Sequence, residues 1–176
     1  MVFSSGKDEA FIAPGTAGTV LTSNGAGRNA SYQAIPFPAD KIQIAQVLLS
    51  STDLLALPTA KLIVAAPGSG KMILPVSLAL QFKKNTTAYT IANADNAFEA
   101  VYHGDTTALL SILATGLVDQ AANTVSAKAF SSLAGLAQTK LAAIGIDLIL
   151  GGTTPGLTLG DGTVEATFAY QLVTLT

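Results

Sequence analysis

The sequence has no cysteine, one histidine and few charges. Without cysteine there is no disulfide framework and no thiolate metal site. With one histidine, a His-based catalytic or metal constellation has a single possible centre, His103. Charged residues make up 11% of the 176 residues, against roughly 25% in an average globular domain. So low a charge leaves a monomer poorly protected from association. It suits a surface covered by neighbours, or a neutral Thr/Ser-rich exterior. Aromatics are also sparse at 6%, although 49% of the residues are apolar. The apolar content is therefore mainly Ala, Leu, Val and Ile.

Other absences exclude partners. The nine basic residues run from Lys7 to Lys140, and only Lys83 and Lys84 are adjacent. That spread makes no electrostatic footprint for nucleic acid and no polybasic cluster for anionic lipid. The start, "MVFSSGKDEAF", lacks a charged region leading into an apolar one, so it does not read as a signal peptide. The best apolar run, "LAAIGIDLIL", has ten residues and includes Asp147, against the ~20 that span a bilayer. Neither nucleic acid nor a membrane is expected as a partner.

Residues 1–38 are polar and glycine-rich, with Pro14, Pro36 and Pro38 and scattered apolar side chains. They read as an extended N-terminal arm, and residues 39–176 as one domain, since a chain of this length needs only one core. From Ile42 onward, short apolar runs are broken by turn residues, the texture of an all-β sandwich. "VSLALQF" alternates strictly, with Val76, Leu78, Leu80 and Phe82 on one face and Ser77, Ala79 and Gln81 on the other. "TVEATFAYQLVTL" alternates likewise, with Val164, Ala166, Phe168, Tyr170 and Leu172 opposed by Glu165, Thr167, Ala169 and Gln171. Each pattern predicts a strand with one core face and one small-residue face. Pro75 cannot donate to a ladder and marks an edge or a bulge. "TAYTIA" and "AFEAVYH" read as a strand pair around "NADN", and "KLAAIGIDLIL" as a late strand with Leu141, Ile144, Ile146 and Leu148 among its apolar positions. The last strand should be central or covered, because an exposed apolar edge invites pairing with other chains. At most one short helix is expected, in Thr106–Thr115 or Ser126–Gln138, where a 3.6 period also fits. About eight strands at ten-residue spacing predict a jelly-roll-like antiparallel β-sandwich.

No motif carries chemistry. "APGSGKM" lacks the first glycine of a phosphate-binding loop, having Ala65 there, and has Met72 where Ser or Thr would hold Mg²⁺. It reads as a hairpin turn in which Gly68 and Gly70 take positive φ. His103 in "VYHGD" reads as a polar residue at a strand end; as a metal ligand it would need Asp105 or Asp95. The carboxylates Asp95, Glu99, Asp105, Asp119, Asp147, Asp161 and Glu165 sit in no recognisable catalytic context. Asp161 in "LGDGT" is a turn residue, with calcium at that turn as the alternative. No enzyme activity and no cofactor are expected.

Two sets of residues carry a resemblance. Gly15, Thr16, Gly18, Val20, Leu21, Thr22, Ser23, Asn24 and Gly25, followed by Tyr32 and Gln33, resemble a segment that recurs in bacteriophage tail fibres and other virion proteins, with Tyr32 in place of the common Trp. "LIVAAPGSGKMILPVSLALQF" and the closing "LTLGDGTVEATFAYQLVTL" are similar to a broad class of phage structural proteins. The resemblance implies a β-sandwich in a symmetric homo-oligomer, often a trimer, located in the virion. A capsid decoration (cement) protein bound between capsomers of the major capsid protein is the first expectation. A tail-fibre, spike or head-fibre module for host attachment is the alternative. The arm is too polar to fold by itself, so it would become ordered on a neighbour. Its anchors would be Val20, Leu21, Tyr32, Ile35 and Phe37.

Overall fold

A computed structural model describes residues 41–131 and 142–175, and in the leading segment the backbone of Thr19–Thr22 and Ser31–Ala34. The chain divides into two compact units, Met1–Pro38 and Ala39–Thr176. In the first, β1 (Thr19–Thr22) pairs antiparallel with β2 (Ser31–Ala34), from Thr19 opposite Ala34 to Thr22 opposite Ser31. The leading segment thus contains a short hairpin, a detail its scattered apolar residues did not suggest.

The second unit is built on eight principal strands: β3 (Gln43–Leu49), β4 (Lys61–Val64), β5 (Lys71–Lys83), β7 (Ala97–Tyr102), β8 (Ala108–Leu113), β9 (Thr124–Ala129), β10 (Ile146–Gly151) and β12 (Thr163–Thr174). Two-residue strands β6 (Thr90–Ile91) and β11 (Leu157–Thr158) pair with each other, and a five-residue helix α1 spans Ser51–Leu55. One sheet runs β3-β12-β5-β9 and the other β4-β10-β7-β8, with every pairing antiparallel. Counted along the chain, the principal strands pair first with eighth, second with seventh, third with sixth and fourth with fifth. That nesting is a long antiparallel hairpin rolled into two sheets, the jelly roll.

The alternating segments put their large side chains between the sheets. Leu78, Leu80 and Phe82 of β5 are fully buried, as are Val164 and Phe168 of β12, with Ala166 almost so. Sizes alternate across the ladder. Leu80 faces Ala166, and Phe168 lies between Leu78 on β5 and Ala45 on β3. Large beside small is how a core reaches crystal-like density without strain. The opposing sheet supplies Phe98, Ala100 and Tyr102 from β7, Leu110 and Ile112 from β8, and Ile146, Leu148 and Leu150 from β10.

Pro75 lies in a central strand, at a bulge. Ser77 faces Ala169 and Pro75 faces Tyr170, so Val76 has no partner on β12. The missing proline donor falls where the ladder is already interrupted. The bulge also shifts the phase of β5. Val76, expected on the core face with Leu78, is only half-buried, while Pro75 and Ile73 take the core side.

Three local expectations are corrected. The described helix lies at Ser51–Leu55, whereas Thr106–Thr115 contributes β8 and the described part of Ser126–Gln138 contributes β9. Ser50 and Asp53 form a reciprocal capping box, in which Ser50 Oγ accepts from the Asp53 N–H and Asp53 Oδ2 from the Ser50 N–H. "TAYTIA" does not pair with "AFEAVYH", because its strand β6 bonds to β11. "APGSGK" is a crossover rather than a hairpin, since β4 and β5 belong to different sheets. Gly68 and Gly70 do have positive φ, 90° and 70°.

Truncating the core should be costly only where the side chain is enclosed. Leu80→Ala and Phe168→Ala should each lose about 2–5 kcal/mol in chemical denaturation. Val76→Ala, at the bulge, should lose less than about 1.5 kcal/mol.

Candidate functional site

The acidic side chains are mostly used to tie loops together. Asp161 accepts from the Thr86 hydroxyl, from the Thr87 N–H at 2.8 Å and from Asn85 Nδ2 at 3.2 Å. The Thr86 hydroxyl first, then the Thr87 N–H, holds its carboxyl below the ordinary aspartate range. The glycines beside it serve the same closure. A Cβ on Gly160 would stand 2.3 Å from the Tyr89 ring, and one on Gly162 would stand 2.5 Å from Phe82. The Tyr89 hydroxyl donates to the Gly162 carbonyl at 2.8 Å, and its ring packs edge-on against Phe82. "LGDGT" is therefore a seam between the 85–89 loop and the start of β12, and its carboxylate is occupied by protein donors.

The other carboxylates behave alike. Asp95 accepts from the hydroxyl and N–H of Thr153, which lower its pKa. Buried Asn96 accepts from the N–H of Asn93 and of Gly156 and donates to the Thr154 carbonyl. The "NADN" turn is thus stitched to the "GGTTPG" loop. Asp105 accepts from the N–H groups of Thr106 and Thr107, and Asp119 from the Gly116 N–H. Asp53 is pushed down to about 2, chiefly by the hydrogen bond from Lys61 and then by Ser50. Glu165 lies 3.6 Å from Lys83. Glu99, half-buried over Gly151, has its pKa raised by burial. Among the described residues no three or more His, Asp or Glu side chains converge as a metal site would require. Lys71 opens a strand and not a helix, so the phosphate-loop reading has no structural support.

His103 is brought to a partner that the sequence did not suggest. Its Nδ1 lies 2.8 Å from Oδ2 of Asp147, whose side chain is 4% exposed against 69% for the imidazole. Neither Asp105 nor Asp95, the partners considered from the sequence, pairs with it. The imidazole tautomer sets which of the two atoms donates. β7 and β10 create the contact by placing Val101 opposite Asp147. A shallow depression lined by Tyr102, Gly104, Asp105 and Ile144 lies on one side of the ring, and an apolar one lined by Leu62, Ala65, Ala66 and Gly145 on the other. Neither depression offers a serine or threonine hydroxyl. The Tyr102 hydroxyl donates to the Ile73 carbonyl at 2.6 Å, and burial raises its pKa to about 12. The pair has the acid and the imidazole of a hydrolytic triad, but the described residues lining the two depressions supply no hydroxyl nucleophile beside it. It satisfies a buried carboxylate and fixes the turn after β7.

The broadest feature is a sheet face. On the outside of β3-β12-β5-β9, Leu48, Glu165, Gln81 and Val125 form one row. Gln46, Thr167, Ala79 and Ala127 form the next, and Ile44, Ala169, Ser77 and Ala129 the third. The centre is small and uncharged, apart from Glu165 beside Lys83. Large apolar side chains stand at both margins: Ile44 and Leu48 on β3, and Val125 on β9. The alternation of β5 and β12 foretold the small residues; the exposed margins belong to edge strands whose position the sequence did not give.

Of the expected arm anchors, Val20 faces Gln33 and Leu21 faces Tyr32 in the backbone register of the β1–β2 hairpin. Ile35 and Phe37 lie outside the described residues. Among those residues no helix is long and apolar enough to cross a membrane. No protein-family model matches the chain, and no curated protein matches it in sequence.

Asp53, Asp95 and Asp161 have lowered pKa values, so each stabilises the fold above the unfolded value near 3.9. That contribution is lost as pH falls through the lower folded value. The thermal midpoint should drop between about pH 4 and 2, and Asp161→Asn should flatten part of that slope. Glu99 acts in the opposite sense, so Glu99→Gln should raise the midpoint at neutral pH. His103→Ala strands the Asp147 carboxylate and should cost about 1–3 kcal/mol in denaturant unfolding.

Proposed function

We propose that the chain is a bacteriophage virion structural protein, acting as a capsid decoration protein that binds between capsomers as a homo-oligomer. The observation that carries the reading is the outer face of β3-β12-β5-β9, a nearly uncharged surface with small side chains at its centre and large apolar ones at its margins. Such a face suits close approach to another protein. Its polar side chains, Gln46, Gln81, Glu165 and Thr167, line only a shallow depression, not the enclosed cleft usual for a small-molecule site. The low charge of the whole chain and the resemblance of its leading and closing segments to phage virion proteins support the same reading. In it the body clamps by shape and the arm tethers, through Val20, Leu21, Tyr32, Ile35 and Phe37, to the major capsid protein.

The arm motif favours a second reading, a tail-fibre or head-fibre module for host attachment. One experiment separates the two. Purified protein is added to capsids that lack it and, in parallel, to host cells. The decoration reading expects saturable, symmetric occupancy of the capsid lattice by cryo-electron microscopy and no adsorption to cells; the fibre reading expects the reverse. Removing residues 1–38 should abolish capsid binding while the sandwich still unfolds in one cooperative transition. Full binding by the truncated chain would end the tethering role of the arm.

A further inference from the structure

The two sheets end in four edge strands, and three of them carry a feature that discourages pairing with another chain. β4 is four residues long, begins with Lys61, and its register with β10 is broken between Ile146 and Asp147. β8 is bulged against β7, between Ala100 and Val101. β9 carries Lys128. β3 has none of these. It is seven residues long, contains neither charge nor proline, and its register with β12 is unbroken from Leu49 to Gln43. No described strand pairs with its other edge. Ile44 is 66% exposed and Leu48 61%.

We propose that β3 is a self-pairing edge, at which a second copy of this chain adds its own β3 antiparallel across a two-fold axis through Gln46. The pattern of the strand selects both occupant and register. With the axis at Gln46, Ile44 faces Leu48 of the second copy and Ala45 faces Val47, while Gln46 faces its own counterpart. At the centre of the strand apolar side chains meet apolar ones and the two Gln46 amides can donate to and accept from each other, while Gln43 faces Leu49 at the two ends. Moving the axis to Ala45 or Val47 sets Ile44 or Leu48 against Gln46. Placing it between residues sets outward side chains against inward ones, which the pleat forbids. The self-paired strand brings no like charges together, and it joins two four-stranded sheets into one of eight strands. The outer faces of the two copies then join across a seam of Ile44, Gln46 and Leu48 from each chain. This contact between bodies does not depend on the phage reading or on the number of copies the arm gathers.

The chain has no native cysteine, so Gln46→Cys tests the axis directly. Both kinds of antiparallel pair lie within the Cα separations a disulfide spans. Under mild oxidation the variant should form a covalent dimer on the order of 1,000-fold faster than Val125→Cys, because pairing raises the local thiol concentration from micromolar to millimolar. Val125 is the control, 68% exposed on the opposite edge of the same sheet. Adding Ile44→Lys and Leu48→Lys should abolish the cross-link and lower the native mass by a factor of about two. The thermal midpoint at protein concentrations low enough to dissociate the unmutated dimer should stay the same, since both side chains are exposed in the single chain. Equal cross-linking at the two cysteines, a cross-link that survives the lysines, or a Gln46→Cys chain that stays reduced overturns the proposal. The last result is the one expected if the arm or a different protein covers β3.

Discussion

The structure depends on the ladder between β5 and β12. It is the longest in the molecule, running from Thr163 opposite Lys83 to Thr174 opposite Lys71, with one bulge. It joins the two largest blocks of alternating sequence and places Phe168, Leu78, Leu80 and Phe82 in the core. Its partners are about ninety residues apart in the chain, so forming it encloses nearly everything between. The nested pairs of the jelly roll then follow: β9 on the free side of β5, β3 on the free side of β12, and the other sheet folded across them. Both ends are fixed. At one, Gly162 packs against Phe82 and accepts from Tyr89; at the other, the Leu175 N–H donates to the Gly70 carbonyl at 2.8 Å.

The scarcity of charge shapes the rest. Most acidic side chains of the body are spent on closing loops, at Asp161, Asp95, Asp105, Asp119 and the α1 cap. Bonds of this kind satisfy backbone donors that a loop would otherwise leave to water. They also remove those carboxylates from chemistry. What remains outside the sandwich is a sparsely charged exterior, and its broadest described part lies on the strands flanking the β5–β12 ladder.

How much of this was legible depended on range. Strict alternation in "VSLALQF" and "TVEATFAYQL" identified the core faces, because a period of two over six or more residues has few other readings. Pro75 was legible as an irregularity because a missing donor must be placed somewhere. The helix at Ser51–Leu55 is too short to show a period, and only Ser50 and Asp53 announced it. "APGSGK" has the same positive φ values in a hairpin or a crossover, so local sequence could not choose between them. β6 and β11 are two residues each, and their pairing is dictated by the loops around them. His103 and Asp147 are 44 positions apart and meet only because β7 pairs with β10. A single sequence gives no measure of that coupling.

The edges show how a nearly neutral chain guards itself. Proteins usually blunt sheet edges with lysine, proline, short strands or bulges. With nine basic residues in all, this chain relies more on geometry, with an irregular register on β4 and a bulge on β8. Those devices need a neighbouring strand that tolerates a broken ladder. β3 has β12 as its neighbour, and the ladder on the other side of β12 is already interrupted by the bulge at Val76 of β5. A second irregularity would loosen the ladder that the fold depends on. An unbroken β3 is therefore the geometry that keeps β12 in register, and its cost is an edge on which Ile44 and Leu48 stand exposed.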